Sequence, residues 1–259
     1  MKPKIFLILL SFLLVKVSVG QEISKPDIVK FKIKSITTID GDGKIKYTEF
    51  YNDKGDFFKQ HSLNDNKQLQ IDRELLYSES SQLIEERIYT STGDINTTSK
   101  YYYNDKNQLF KKEYISFGEV SATWIFEYDG KGNKISETQT SGTMGNTLTK
   151  YKYDDKNFLV QEDKTNNTIG KEERINYKYN DKEQVIEKKT KAYYFNTTIT
   201  LTYSYNDTGR LTKLYEKSSN GVSSTTLYEY NDKGLLISDT WESSISKMPQ
   251  KTTYQINFE

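Results

Sequence analysis

Along most of this chain, apolar and polar residues alternate in short runs, and the runs end in turns. Tyr151-Lys152-Tyr153, Tyr177-Lys178-Tyr179, Tyr203-Ser204-Tyr205 and Tyr228-Glu229-Tyr230 each place two aromatic residues around a polar one. A period of two marks a β-strand with one buried face. A turn string close to Tyr-Asn-Asp-Lys-Gly follows each strand, and an aliphatic residue then opens the next run. Taking the tyrosine before the turn as anchor gives Tyr51, Tyr77, Tyr103, Tyr128, Tyr153, Tyr179, Tyr205 and Tyr230, at intervals of 25 or 26 residues. So regular a spacing is the mark of a tandem repeat. No segment downstream sustains a helical period, so little helix is expected.

Each position of the repeat has a physical reading. Asn or Asp follows the anchor in every copy but one, where Ser78 stands; these side chains cap a turn. The fourth position after the anchor is Gly55, Gly132, Gly209 and Gly234, or Asn107 and Asn157. Glycine and asparagine tolerate the left-handed backbone that closes a three-residue hairpin loop with a bulge. Ser81 and Glu183 occupy this position in the other copies, and looser turns are expected there. The sixth position is aliphatic or aromatic except at Lys134. It pairs across the strands with the anchor, so both face one side. Two residues before the anchor stand Leu75, Tyr101, Phe126, Tyr151, Tyr177, Tyr203 and Tyr228, with Glu49 departing. A second, more variable turn lies midway between anchors, as at Ser91-Thr92-Gly93-Asp94.

Two strands per repeat make an antiparallel meander of about sixteen strands, and a sheet that wide twists and curls. The expected fold is all-β: eight tandem hairpins coiled into a spiral, trough or barrel-like sheet. The aromatic ladder (Tyr51, Tyr77, Tyr101, Tyr103, Phe126, Tyr128, Tyr151, Tyr153, Tyr177, Tyr179, Tyr203, Tyr205, Tyr228 and Tyr230) would line the inside. The opposite face is rich in Lys, Glu, Thr and Asn, unlike the apolar outer band of a membrane barrel.

The segment Tyr203-Ser204-Tyr205-Asn206-Asp207-Thr208-Gly209-Arg210-Leu211 resembles the signature of the YD-repeat, or RHS-repeat, family, Tyr-x-Tyr-Asp-x-x-Gly-Arg-Leu. Tyr228 to Leu236 and Tyr151 to Leu159 are further matches, and the resemblance spans about residues 39–240. It implies a spiralling antiparallel sheet, which forms a hollow shell in large family members. It also implies the roles of the family's cell-surface members, carbohydrate binding and intercellular contact. The period here is longer than is usual in the family.

Composition narrows the setting. Lys2 and Lys4 precede eleven predominantly apolar residues from Ile5 to Val15, and Ser18-Val19-Gly20 supplies small residues for cleavage before Gln21. This reads as a signal peptide over residues 1–20, too short in its apolar run to span a bilayer. Secretion, to the periplasm, the cell envelope or beyond, is the expectation. A lead-in over 21–38, the repeat domain over 39–245 and a closing strand over 246–259 would follow. There is no cysteine, so no disulfide holds the fold. Three of the 37 basic residues lie in the leader, leaving 34 against 36 acidic ones; this balance gives no footprint for nucleic acid or for an anionic membrane. The 21 Tyr and 12 Phe, beside a mean hydropathy of −0.80, leave burial to aromatic rings.

Candidate chemistry is sparse. Asp40-Gly41-Asp42-Gly43 and Glu49 fall on calcium-loop positions, but Thr38 occupies the first one, where a carboxylate is required; Asp40, Asp42 and Glu49 are weak metal candidates beside the plainer reading of a turn. His61 is the only histidine and reads as a solvated strand residue. Asp and Glu are abundant, but they recur at one turn position, which favours turn building over catalysis. No cofactor is expected. The leading expectation is a non-enzymatic binding protein that offers a groove or an edge strand to a glycan or a surface protein. A purely structural shell and an envelope polysaccharide-degrading enzyme are the alternatives.

Overall fold

The computed structural model describes residues 23–63, 68–142, 145–246 and 248–258. The expected signal peptide, over residues 1–20, lies outside them. A short helix, α1 (Lys25–Lys30), precedes eighteen strands. The first nine are β1 (Ile33–Ile39), β2 (Ile45–Tyr51), β3 (Phe57–Leu63), β4 (Leu69–Tyr77), β5 (Leu83–Tyr89), β6 (Ile95–Tyr103), β7 (Leu109–Ser116), β8 (Glu119–Tyr128) and β9 (Lys134–Ser141). The others are β10 (Thr147–Tyr153), β11 (Leu159–Asn166), β12 (Gly170–Tyr179), β13 (Val185–Ala192), β14 (Thr197–Tyr205), β15 (Leu211–Ser218), β16 (Ser223–Tyr230), β17 (Leu236–Ser243) and β18 (Gln250–Phe258).

Each strand pairs antiparallel with the next in the chain, and β18 returns to β1, with Ile36 opposite Ile256 and Thr38 opposite Tyr254. The meander is therefore a closed barrel. The eight anchored hairpins account for β2 to β17. The two strands beyond the expected sixteen are β1 and β18, which carry no anchor and close the wall. β1 arises within the segment read as a lead-in. Closure leaves the described sheet no edge, so the expected edge-strand mode of binding has no strand to use.

The turns follow the repeat chemistry. In the β2–β3 hairpin the Asn52 side chain accepts from the backbone N–H of Lys54 and Asp56 at 3.0 and 2.9 Å. The fourth position has positive φ in all eight copies, including Ser81 at 62° and Glu183 at 64°. The expected loosening is absent there: Ser81 and Glu183 donate to Ser78 and Asn180 at 2.9 and 3.0 Å, like the glycine turns. Ser78 compensates for the missing asparagine by accepting from Gln82 N–H at 3.1 Å.

A bulge follows each of these turns. Tyr205 pairs with Leu211, but Ser204 pairs with Lys213, leaving Thr212 unmatched, and the other seven hairpins slip alike. The extra residue reverses the alternation. The ninth residue after the anchor, not the eighth, therefore faces the anchor's side.

That side is the inner wall. Buried Tyr151, Ile175, Tyr177, Val185, Tyr203 and Leu211 lie on it, whereas the outer wall carries ion pairs such as Lys111–Glu113 at 2.6 Å, Arg174–Asp163 at 2.5 Å and Lys178–Glu187 at 2.9 Å. Charges at mid-height of the outer wall would be costly in a lipid-facing band. Inner side chains such as Trp124, Phe126 and Leu201 are only half-buried, and the substantial strand contacts are those of ladder neighbours. The barrel thus holds open space, as barrels of ~16–18 strands do.

Helix α1 sits at the end of the barrel where the anchored turns gather. Ser24 caps it, and Ile28 packs with Ile33, Ile36 and Leu235. Lys25 pairs with buried Asp56. Gly55 lies directly beneath the helix, where a Cβ would come within 2.8 Å of the Val29 side chain.

Candidate functional site

The reversal caused by the bulge places one side chain per repeat at mid-height on the inner wall. These are Gln60, Glu86, Lys112, Glu137, Glu162, Lys188, Leu214 and Asp239. Each faces a residue of the neighbouring strand two positions before an anchor: Leu75 opposite Glu86, Tyr101 opposite Lys112, Phe126 opposite Glu137, Tyr151 opposite Glu162. Tyr177 opposite Lys188, Tyr203 opposite Leu214 and Tyr228 opposite Asp239 continue the series. The result is a belt around the lumen in which aromatic rings alternate with mostly charged groups.

Hydrogen bonds knit the belt together. Tyr101 donates to Glu86 at 2.8 Å and Tyr151 to Glu137 at 3.1 Å; Tyr177 donates to Glu162 and Tyr254 to Asp239. Burial, then the neighbouring carboxylates, push the phenols of Tyr101, Tyr151 and Tyr177 well above the usual tyrosine range. In Tyr203, burial and then the neighbouring Tyr205 raise the value to about 12.

The sector from β4 to β10 is the most polar. Arg73 meets Glu86 at 2.6 Å. The Lys112 ammonium lies 5.3 Å from the Tyr101 ring and 5.2 Å from Trp124; burial lowers its pKa, against the pull of Glu86 and Glu137. Lys134 stands 4.3 Å from the Tyr151 ring and 2.9 Å from Glu137. On β12 to β15 the inner wall also carries an apolar cluster of Ile175, Tyr177, Val185, Tyr203 and Leu211. The polar sector can accept and donate hydrogen bonds beside the half-buried rings of Tyr101, Trp124 and Phe126.

Every residue of the sequence-read ladder lies on this wall. Tyr101, Phe126, Tyr151, Tyr177, Tyr203 and Tyr228 belong to the belt, and the anchors form a second tier nearer the turns. The charged members of the belt escaped the sequence reading, because simple alternation assigns Glu85, Lys111 and Ser136 inward instead. The metal candidates do not converge. Asp40 spends its carboxylate on the N–H groups of Asp42 and Lys44 at 3.0 and 2.9 Å, as a turn does, while Glu49 sits on the inner wall beside the Tyr51 hydroxyl at 3.0 Å. No group of three or more metal-ligating side chains occurs among the described residues. His61 is not the solvated side chain expected: it lies half-buried against Phe50, ring centroids 4.9 Å apart, and burial lowers its pKa.

No protein-family model matches the chain, and no curated protein matches it in sequence. Among solved structures it is similar to a porin-like protein from Bacteroides uniformis, at 11% identity and a TM-score of 0.49, with 88% of this chain and 97% of that one covered. A porin-like protein from Bacteroides vulgatus matches at 9% identity and a TM-score of 0.38, over 85% and 97% of the two chains. The TcdB2-TccC3-Cdc42 structure matches at 11% identity and a TM-score of 0.38, over 86% of this chain but 16% of that one. Likeness at this level carries no argument about function.

Proposed function

We propose that this is a secreted, non-enzymatic binding protein of the YD-repeat kind, and that it takes a glycan against the polar sector of its inner wall. The family reading rests on eight anchors in register, with Tyr203 to Leu211 matching the Tyr-x-Tyr-Asp-x-x-Gly-Arg-Leu signature except for Asn206 at the Asp position. The observation that carries the binding reading is the Lys112 ammonium held between the rings of Tyr101 and Trp124 beside Glu86. Sugar hydroxyls need charged acceptors and donors next to flat apolar faces, and this sector offers both. The belt carboxylates engage tyrosine hydroxyls in a repeated pattern, which suits a wall better than a single reaction centre.

A glycan array probed with the purified protein tests the reading, followed by calorimetry on any hit with Trp124→Ala and Lys112→Ala. Binding that both substitutions abolish supports it. A protein that binds no glycan on the array favours the structural-shell alternative, and cleavage of a polysaccharide would establish the enzyme alternative. Secretion is checked by mass spectrometry of the exported protein, whose N-terminus should be Gln21.

A further inference from the structure

The hairpin tips at the end of the barrel away from the anchored turns expose large apolar side chains. Phe117 is 97% exposed, Tyr194 77%, Phe195 59% and Ile169 60%, and Ile245 and Met248 are exposed at another tip of the same end. The β11–β12 and β13–β14 tips stand side by side, because Tyr193 N–H donates to the Glu172 carbonyl at 2.9 Å. Tyr194 and Phe195 meet edge to face with ring centroids 5.0 Å apart. Beneath them, the ammonium groups of Lys171 and Lys191 lie 5.8 and 5.0 Å from the Tyr193 ring. Among the described residues neither lysine is in an ion pair with a carboxylate. Ile169, Tyr194 and Phe195 thus form an apolar point with two cations behind it.

We propose that this end docks on a phospholipid surface. Tyr194, Phe195 and Ile169 enter the boundary between headgroups and acyl chains, and Lys171 and Lys191 meet the phosphates. Two features favour a bilayer over a protein partner. The apolar residues stand on separate tips around the mouth of a hollow barrel, whereas a protein interface has a contiguous packed core. An aromatic pair backed by lysines is also the arrangement that suits a membrane–water interface.

Co-sedimentation of the purified protein with vesicles of phosphatidylcholine, alone or mixed with phosphatidylglycerol, tests this. Binding to both is expected, and stronger to the anionic mixture. Tyr194→Ser with Phe195→Ser should weaken it about tenfold or more, since two partly inserted rings are lost. Lys171→Glu with Lys191→Glu should remove the preference for the anionic lipid, and circular dichroism confirms that both variants fold. Failure to bind either vesicle, or unchanged binding by the serine variant, overturns the proposal. So does a wild-type dimer that the serine variant converts to monomer, because the tips would then be a contact between copies of this chain.

Discussion

The Tyr205 hydroxyl, on β14, donates to the backbone carbonyl of Val185, on β13, at 2.7 Å. The ladder between these strands ends at Glu187 opposite Thr202, so the backbone of β14 stops short of that carbonyl. The splayed strands are bridged by the phenol instead. The same bridge recurs at Tyr77, Tyr103, Tyr128, Tyr153, Tyr179 and Tyr230, each to the first residue of the preceding strand. The anchor is therefore tyrosine rather than phenylalanine because it must bury a ring and supply a donor where the bulged hairpins part.

Removing that donor leaves a half-buried carbonyl unsatisfied. Tyr205→Phe should destabilise the barrel by about 1–2 kcal/mol, read as a lower midpoint in urea. Tyr102→Phe removes a hydroxyl on the outer wall, which donates to Glu113 at 2.7 Å, and should cost less because water can replace the lost bond. Equal losses at the two sites would refute the bridging role.

The left-handed positions give a second expectation, of opposite sign. Ser81 and Glu183 hold φ values of 62° and 64°, where a Cβ costs roughly 1 kcal/mol or more relative to glycine. Ser81→Gly and Glu183→Gly should each raise stability by about 0.5–1 kcal/mol, reduced by the extra freedom that glycine gives the unfolded chain. Gly209→Ala, at φ 83°, should lower it. Thermal midpoints of the three variants decide the matter.

These turns also mark what the sequence disclosed and what it hid. Anchor, cap and left-handed position recur at fixed offsets, so the hairpins and the side of the ladder could be read directly. Closure could be read only in part: a closing strand is expected over 246–259, but its partner, Ile33 to Ile39, carries no anchor tyrosine, although the turn after it, Asp40 to Gly43, follows the repeat. The belt was hidden by a single residue per repeat. The bulge at Ile84, Phe110 or Ile135 shifts Glu86, Lys112 and Glu137 inward, although alternation alone would turn them outward. The turn chemistry implies a bulged hairpin, and the extra residue of that bulge is the sequence signal for the belt. Helix α1 is six residues long, too short for a periodic signal; its traces are the Ser24 cap and Pro26.

Alkaline pH should dismantle the inner wall. Burial raises Tyr77 and Tyr203 from the ordinary 10.0 to about 12. Because the folded values lie above the unfolded one, the neutral phenols stabilise the fold fully below pH 10. That contribution disappears as the pH climbs through about 12. Absorbance near 295 nm (a wavelength of phenolate generally) should show ladder tyrosines ionising late and together with the loss of β-sheet circular dichroism. Ladder phenols that titrate at the ordinary value in a protein still folded would contradict this.

Glu173 works against the fold near neutrality. It lies on the inner wall opposite Lys164 and Ala192, and burial raises its pKa above the ordinary 4.5, opposed by Lys164 and Lys188 and reinforced by Glu162 and Glu172. A carboxyl whose folded value is raised stabilises the native state while protonated, and that stability is lost as the pH rises through the folded value. Glu173→Gln keeps the shape and removes the charge. The variant should therefore melt higher than wild type at pH 7, and the gap should narrow when both are acidified below 4.5. A lower melting midpoint for the variant at pH 7 would mean that the lysines, not desolvation, set the energy of this side chain.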